Sequence, residues 1–179
     1  MATSPIEATT HIFKGAHGDF MAFHEMGPAD GRPVILIHGL FSNAMVNWIK
    51  YGPAGKLVAK GRRVIMPDLR AHGESARSYD KADYTADILA DDNLGLVEQL
   101  GFKPGDYDLG GYSLGARTTA RMLTRGAKPA KAMLAGMGLE GLLDLANRAE
   151  FFRRVLEGAG THEKFSSEWM AEAFVKTLP

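Results

Sequence analysis

Apolar residues in this chain fall in two patterns. Some form short unbroken runs, as in Val34-Ile35-Leu36-Ile37 and Val64-Ile65-Met66. A strand that is apolar on both faces belongs inside a parallel sheet covered by helices. Others recur at helical spacing, as do Leu89, Leu96 and Leu100 within a segment from Asp83 to Leu100. That spacing places them on one face of a helix, with Asp83 as its N-cap and Gly101 after its last apolar residue. Along the chain, residues 9–26 predict two short strands joined by a turn at Gly15 to Asp19, and Gly27 to Gly31 is a loop. A helix is predicted from Val46 to Lys60, interrupted at Gly52-Pro53, then a strand over 63–66 stopped by Pro67. After the Asp83 helix come a strand from Asp106 to Gly111, a sharp turn, a helix from Leu114 to Arg125 and a strand over 131–135. This alternation predicts an α/β fold, with a mainly parallel, twisted sheet and helices on both faces.

After Gly138 the pattern changes. Residues 142–156 and 166–178 both read as helices, and no strand follows them. The expected division is a sheet-bearing core over 1–138 and a helical segment over 139–179. A sheet ending at the 131–135 strand leaves an apolar edge with nothing beside it, so the C-terminal part of the core is expected to lie outside these residues.

Composition removes several classes of function. Lys+Arg and Asp+Glu both number 21, so no net field favours nucleic acid or an anionic membrane. With no cysteine, disulfides, thiolate nucleophiles and Cys-ligated zinc are excluded. The six histidines show no metal-ligand spacing, and no metal site is expected. The N-terminus has neither a basic start nor an apolar run, and no segment approaches membrane-spanning length. The expectation is a soluble, cytoplasmic protein with no nucleic-acid or membrane partner; its oligomeric state is open.

The chemistry-bearing residues lie at the ends of the predicted strands. Gly111-Tyr112-Ser113-Leu114-Gly115 has the form G-x-S-x-G between a strand and a helix. A serine at the tip of so tight a turn needs small residues two positions to either side, and the helix behind it aims N–H groups at developing negative charge. His38-Gly39-Leu40 follows the Val34–Ile37 strand, and Asp68-Leu69-Arg70-Ala71-His72-Gly73-Glu74-Ser75 follows the next one. In order and spacing, the three motifs resemble the α/β-hydrolases over roughly residues 10–138. The resemblance implies that Ser113 is the nucleophile and that the backbone N–H groups of Leu40 and Leu114 form the oxyanion hole. It implies that His38 holds its loop rather than acting as the base. Asp68 is expected to accept backbone N–H groups and Gly73 to take a left-handed conformation; the alternative is an acid–base cluster of Asp68, Arg70 and His72. The tail from 139 resembles the start of that family's helical cap, its aromatics Phe151, Phe152, Phe165 and Trp169 serving as core or lining an acyl pocket.

A serine hydroxyl needs a base, and the base needs an orienting acid. In the family these follow the nucleophile in the order acid, then histidine. His162 is the only histidine after Ser113, and Glu140 and Asp144 follow the 131–135 strand. These are the candidates within the chain for base and acid; the family's usual positions for both fall beyond it. The resulting expectation is a serine-dependent hydrolase of a small carboxylic ester or related acyl substrate, needing no cofactor. Same-fold alternatives are a C–C hydrolase, a perhydrolase and an acyltransferase. The alternative of a different class is a non-catalytic ligand-binding protein on a hydrolase scaffold.

Overall fold

The computed structural model describes residues 7–139 and 145–176. Six strands form one sheet: β1 (Thr9–Lys14), β2 (Phe20–Met26), β3 (Arg32–Ile37), β4 (Arg62–Pro67), β5 (Asp108–Tyr112) and β6 (Lys131–Ala135). Their spatial order is β1-β2-β4-β3-β5-β6. The β1–β2 and β2–β4 pairs are antiparallel, and β3–β4, β3–β5 and β5–β6 are parallel. The chain therefore enters as an antiparallel hairpin and continues as a parallel sheet.

Both faces of the sheet are packed, which accounts for the unbroken apolar runs. Ile35, Ile37 and Ile65 point into a core shared with α2 (Ile88–Gln99) and α3 (Leu114–Thr124), through Leu96 and Met122. Val34, Leu36, Val64 and Met66 point the other way, onto Ala44, Trp48, Ala54 and Val58. Those four residues belong to a π-helical turn over Met45–Lys50, the residue before it, and α1 (Pro53–Val58). The predicted interruption at Gly52-Pro53 is real: Gly52 has φ +88° and Pro53 opens the new helix.

The helix predicted from Asp83 begins instead at Ile88. The preceding residues satisfy one another in a separate turn. Asp80 Oδ1 accepts the Ala82 N–H at 2.9 Å, and the Tyr84 hydroxyl bonds both the N–H and the C=O of Ser78. Asp83 thus ends a short 3₁₀ turn and is not the N-cap.

The described residues form two compact units, one running to Gly136 and one starting at Met137. In the second, α4 (Leu145–Glu157) and α5 (Ser167–Lys176) form a helical hairpin. Val155 and Glu172 are buried there, and Glu172 accepts the Gly160 N–H of the connecting loop at 2.9 Å. Among the described residues, no helix is long and apolar enough to cross a membrane.

Candidate active site

Ser113 stands between β5 and α3 with φ 53° and ψ −112°, a left-handed conformation that a side-chain-bearing residue adopts only under constraint. The constraints are visible. Its N–H donates to Ala135 O at 2.8 Å, fixing the turn to the end of β6, and its carbonyl accepts the Arg117 N–H at 3.1 Å. A Cβ on Gly111 would lie 2.2 Å from the Gly115 carbonyl carbon and oxygen. A Cβ on Gly115 would lie 2.1 Å from Ile37 O and 2.6 Å from His38 O. The first glycine therefore lets the turn close on itself, as its spacing predicted. The second has another role, letting the head of α3 press against the end of β3.

That contact brings the His38 loop to the serine. Gly39 abuts the turn: a Cβ there would be 3.5 Å from Ser113 Cβ and 3.3 Å from the Tyr112 ring. His38 is fully buried. Its Nε2 accepts the Leu69 N–H at 2.9 Å, so Nδ1 carries the proton and donates to Gly39 O at 2.8 Å. Burial pushes its pKa down to about 4, keeping the ring neutral. Both ring nitrogens are thus committed to backbone, as expected of a residue that holds the loop. On the other side of Gly39, its N–H donates to Asn47 Oδ1 at 2.8 Å. Leu114 heads α3, where its N–H has no carbonyl one turn earlier to bond.

Asp68 is buried and ties two loops together. Its Oδ1 accepts the Ala44 N–H at 2.8 Å; its Oδ2 accepts the Glu74 N–H at 2.9 Å and His24 Nε2–H at 3.1 Å. Burial alone would raise the Asp68 pKa, but the His24 and backbone donors outweigh it and hold it low. The same hydrogen bond raises the pKa of His24 against its burial. Gly73 has φ +51° and packs so closely on Asp68 that a Cβ there would sit 2.1 Å from Oδ2, so both conformation and space call for glycine. Arg70 turns away from Asp68 and forms a two-pronged pair with Asp92, Nε–Oδ2 2.9 Å and Nη2–Oδ1 3.0 Å. His72 bonds Arg70 O through Nδ1 at 2.9 Å. The three side chains serve separate structural tasks, which is evidence against an independent acid–base cluster.

His162 lies in the loop between α4 and α5, where its Nε2 donates to Val155 O at 3.0 Å and stands 3.9 Å from Glu172 Oε2. Glu140 and Asp144 lie outside the described residues. Among the described residues, no group of three or more His, Asp or Glu is arranged to hold a metal ion. Sequence reasoning missed Asn47 and Asp92. Neither belongs to a recognised motif, and each acquires its role only through a partner brought close by folding.

A family model described as the alpha/beta hydrolase fold matches residues 32–177. The dihydrolipoyllysine-residue acetyltransferase component of the acetoin cleaving system of Pseudomonas putida is 32% identical over 142 residues, covering 73% of this chain and 36% of that protein. Lipase 3 of a Moraxella species is 31% identical over 118 residues, 66% of this chain and 35% of that protein. The crystal structure of an alpha/beta hydrolase from Novosphingobium aromaticivorans superposes with a TM-score of 0.60 at 23% identity, over 73% of this chain and 45% of that one. The chain thus spans less than half the length of each of these relatives. With a mixed, mainly parallel sheet, a strained serine turn at the end of β5 and a family match over most of its length, this chain belongs to the alpha/beta hydrolase fold family.

Proposed function

We propose that the protein is a serine-dependent hydrolase of a small carboxylic ester or a related acyl compound. The observation that carries this reading is the strained conformation of Ser113, with the His38-Gly39 loop packed against it. Strain at a serine is retained when the surrounding structure over-determines it, and such positions cluster at catalytic sites. Here the constraint holds the residue at the tip of a strand-to-helix turn. In this reading the Ser113 hydroxyl oxygen attacks the substrate carbonyl carbon and its proton passes to a base. The carbonyl oxygen becomes an oxyanion, held by the N–H groups of Leu40 and Leu114. Collapse of the tetrahedral intermediate expels the alcohol, and water then releases the acid.

The family's usual positions for the base and its acid fall beyond residue 179, and this reading places both there. Within the chain, His162 is the candidate base and Glu140 or Asp144 the candidate acid. The engagement of His162 Nε2 with Val155 O supports a structural role for that ring instead. No cofactor enters the scheme.

The test is covalent labelling of the full-length protein with a serine-directed fluorophosphonate, located by mass spectrometry. The label is expected on the peptide carrying Gly111 to Gly115 and absent from Ser113→Ala. Equal labelling of Ser113→Ala would remove Ser113 as nucleophile, and loss of labelling in His162→Ala would reinstate His162 as the base. A non-catalytic binding protein on this scaffold predicts no stoichiometric label at all.

A further inference from the structure

We propose that Asn47 is a positioning residue for the oxyanion loop, clamping the Gly39 peptide so that the Leu40 N–H is the donor the loop presents beside Ser113. The inference rests on the reading of Ser113 as nucleophile and adds a residue that no motif marks.

A glycine lacks the Cβ that would confine its backbone, so the peptide groups on either side of it can rotate at small cost. Gly39 occupies the most sensitive place for such freedom, against the Ser113 turn. Two side chains remove it. Asn47 Oδ1 accepts the Gly39 N–H at 2.8 Å, which fixes the peptide plane between residues 38 and 39. The protonated His38 Nδ1 donates to Gly39 O at 2.8 Å, which fixes the plane between residues 39 and 40. In a trans peptide the C=O and the following N–H point in opposite directions. Holding Gly39 O against the His38 ring therefore turns the Leu40 N–H away from that ring. The Gly39 N–H is occupied by Asn47 and is not offered to substrate. Together the two clamps decide which amide donates and in which direction.

Asn47 is itself held in place. It lies in the π-helical turn Met45–Lys50, and just before that turn Asn43 Oδ1 accepts the Val46 N–H at 2.8 Å. The Ala44 N–H is fixed by Asp68 at 2.8 Å, and the Asn47 N–H bonds Asn43 O at 3.0 Å. Short π-helical segments recur at functional sites.

The test uses the full-length protein and two readouts. The first is amide exchange at Gly39 by NMR. Gly39 should exchange at least tenfold faster in Asn47→Ala than in the parent, while Asn47→Asp, which keeps an acceptor of the same reach, should preserve protection. The second is turnover of a short-chain nitrophenyl ester. Asn47→Ala should lower kcat about tenfold with KM within twofold, since the loop acts on the oxyanion and not on the resting substrate. A purely structural asparagine would shift the unfolding midpoint without that split. Should Asn47→Ala fail to fold, Asn47→Ser takes its place, the shorter side chain falling short of Gly39. Unchanged Gly39 exchange overturns the clamp. A kcat within twofold of the parent, in a protein that Ser113→Ala inactivates, overturns the positioning role. If Ser113→Ala keeps full turnover, the nucleophile reading itself fails, and the catalytic part of this inference falls with it while Gly39 exchange still decides the clamp.

Discussion

Gly115 shows how closely one residue's size is coupled to the site. A single methyl at this position would be driven into the carbonyl groups of Ile37 and His38, backbone atoms at the end of a central strand that have little room to retreat. Gly115→Ala is expected to destabilise the protein by about 3 kcal/mol, at the upper end of ordinary overpacking costs, and to displace Ser113 from the His38 loop. Denaturant unfolding measures the first effect and fluorophosphonate labelling rate the second; a substitution costing under about 1 kcal/mol would show that β3 and α3 part easily. The buried His24–Asp68 pair makes a second prediction, about pH. The His24 pKa is raised above its usual 6.5, so its contribution to stability is complete below 6.5 and is lost as pH rises through the raised value. The Asp68 pKa is lowered below its usual 3.8, so its contribution is complete above 3.8 and is lost as pH falls through the lowered value. The pair should stabilise most between these limits. The stability difference between parent and His24→Gln is therefore expected to be largest near pH 5 to 6 and to shrink by pH 9. A difference that does not change with pH would show that the imidazole stays neutral throughout.

At the scale of elements, the loop after β4 is held by the apolar burial of Leu69 and by ion pairs to α2 and to the β1–β2 turn. Arg70, from the loop after β4, grips Asp92 on α2, and Asp92 Oδ1 also accepts the Ala16 N–H of the β1–β2 turn at 2.8 Å. Asp19 in the same turn holds Arg70 Nη1 at 2.5 Å. Arg70 and Asp92 are almost wholly buried, and without Asp92 the Arg70 guanidinium is left with Asp19, whose side chain is 40% exposed, to balance it. Asp92→Ala, which removes both the charge and the acceptor, is expected to cost about 3 kcal/mol. It should also free the β1–β2 turn, seen as faster amide exchange at Ala16; exchange unchanged there would separate the turn from the pair. Much at this scale was legible in the sequence and some was not. The strands β3 and β4 announce themselves because both their faces are buried. The serine turn is legible because sterics demand glycine at Gly111 and Gly115. The start of α2 was not, because Asp80 and Tyr84 close a competing turn through contacts that periodicity does not encode. Asn47 and Asp92 escaped for a related reason: a lone polar residue carries no signal until its partner, Gly39 or Arg70, is brought beside it.

At the scale of the whole molecule, the sheet has two unlike edges. β1 is one edge, six residues long and paired in register with β2 through its whole length. The other is β6, bonded to β5 on one side, and among the described residues nothing pairs with its second side. Met133 and Leu134 on this strand are 46% and 44% exposed. An edge strand with unpaired N–H and C=O groups and apolar side chains is a template for another strand, and natural edges are commonly blunted by charge. The one charge on β6, Lys131, stands at its first residue and leaves the middle unprotected. Residues 1–179 expressed alone are therefore expected to associate through β6 at micromolar concentration. Leu134→Lys should shift them toward the monomer, because a lysine in the middle of the edge must be desolvated before a second strand can pair there. Elution volume with light scattering across a dilution series reads this directly. If the parent remains monomeric at all concentrations, β6 is shielded by something other than a paired strand. If Leu134→Lys leaves association unchanged, the contact lies elsewhere, and the exposed face of the α4–α5 hairpin, with Phe165 and Phe174, becomes the surface to substitute next.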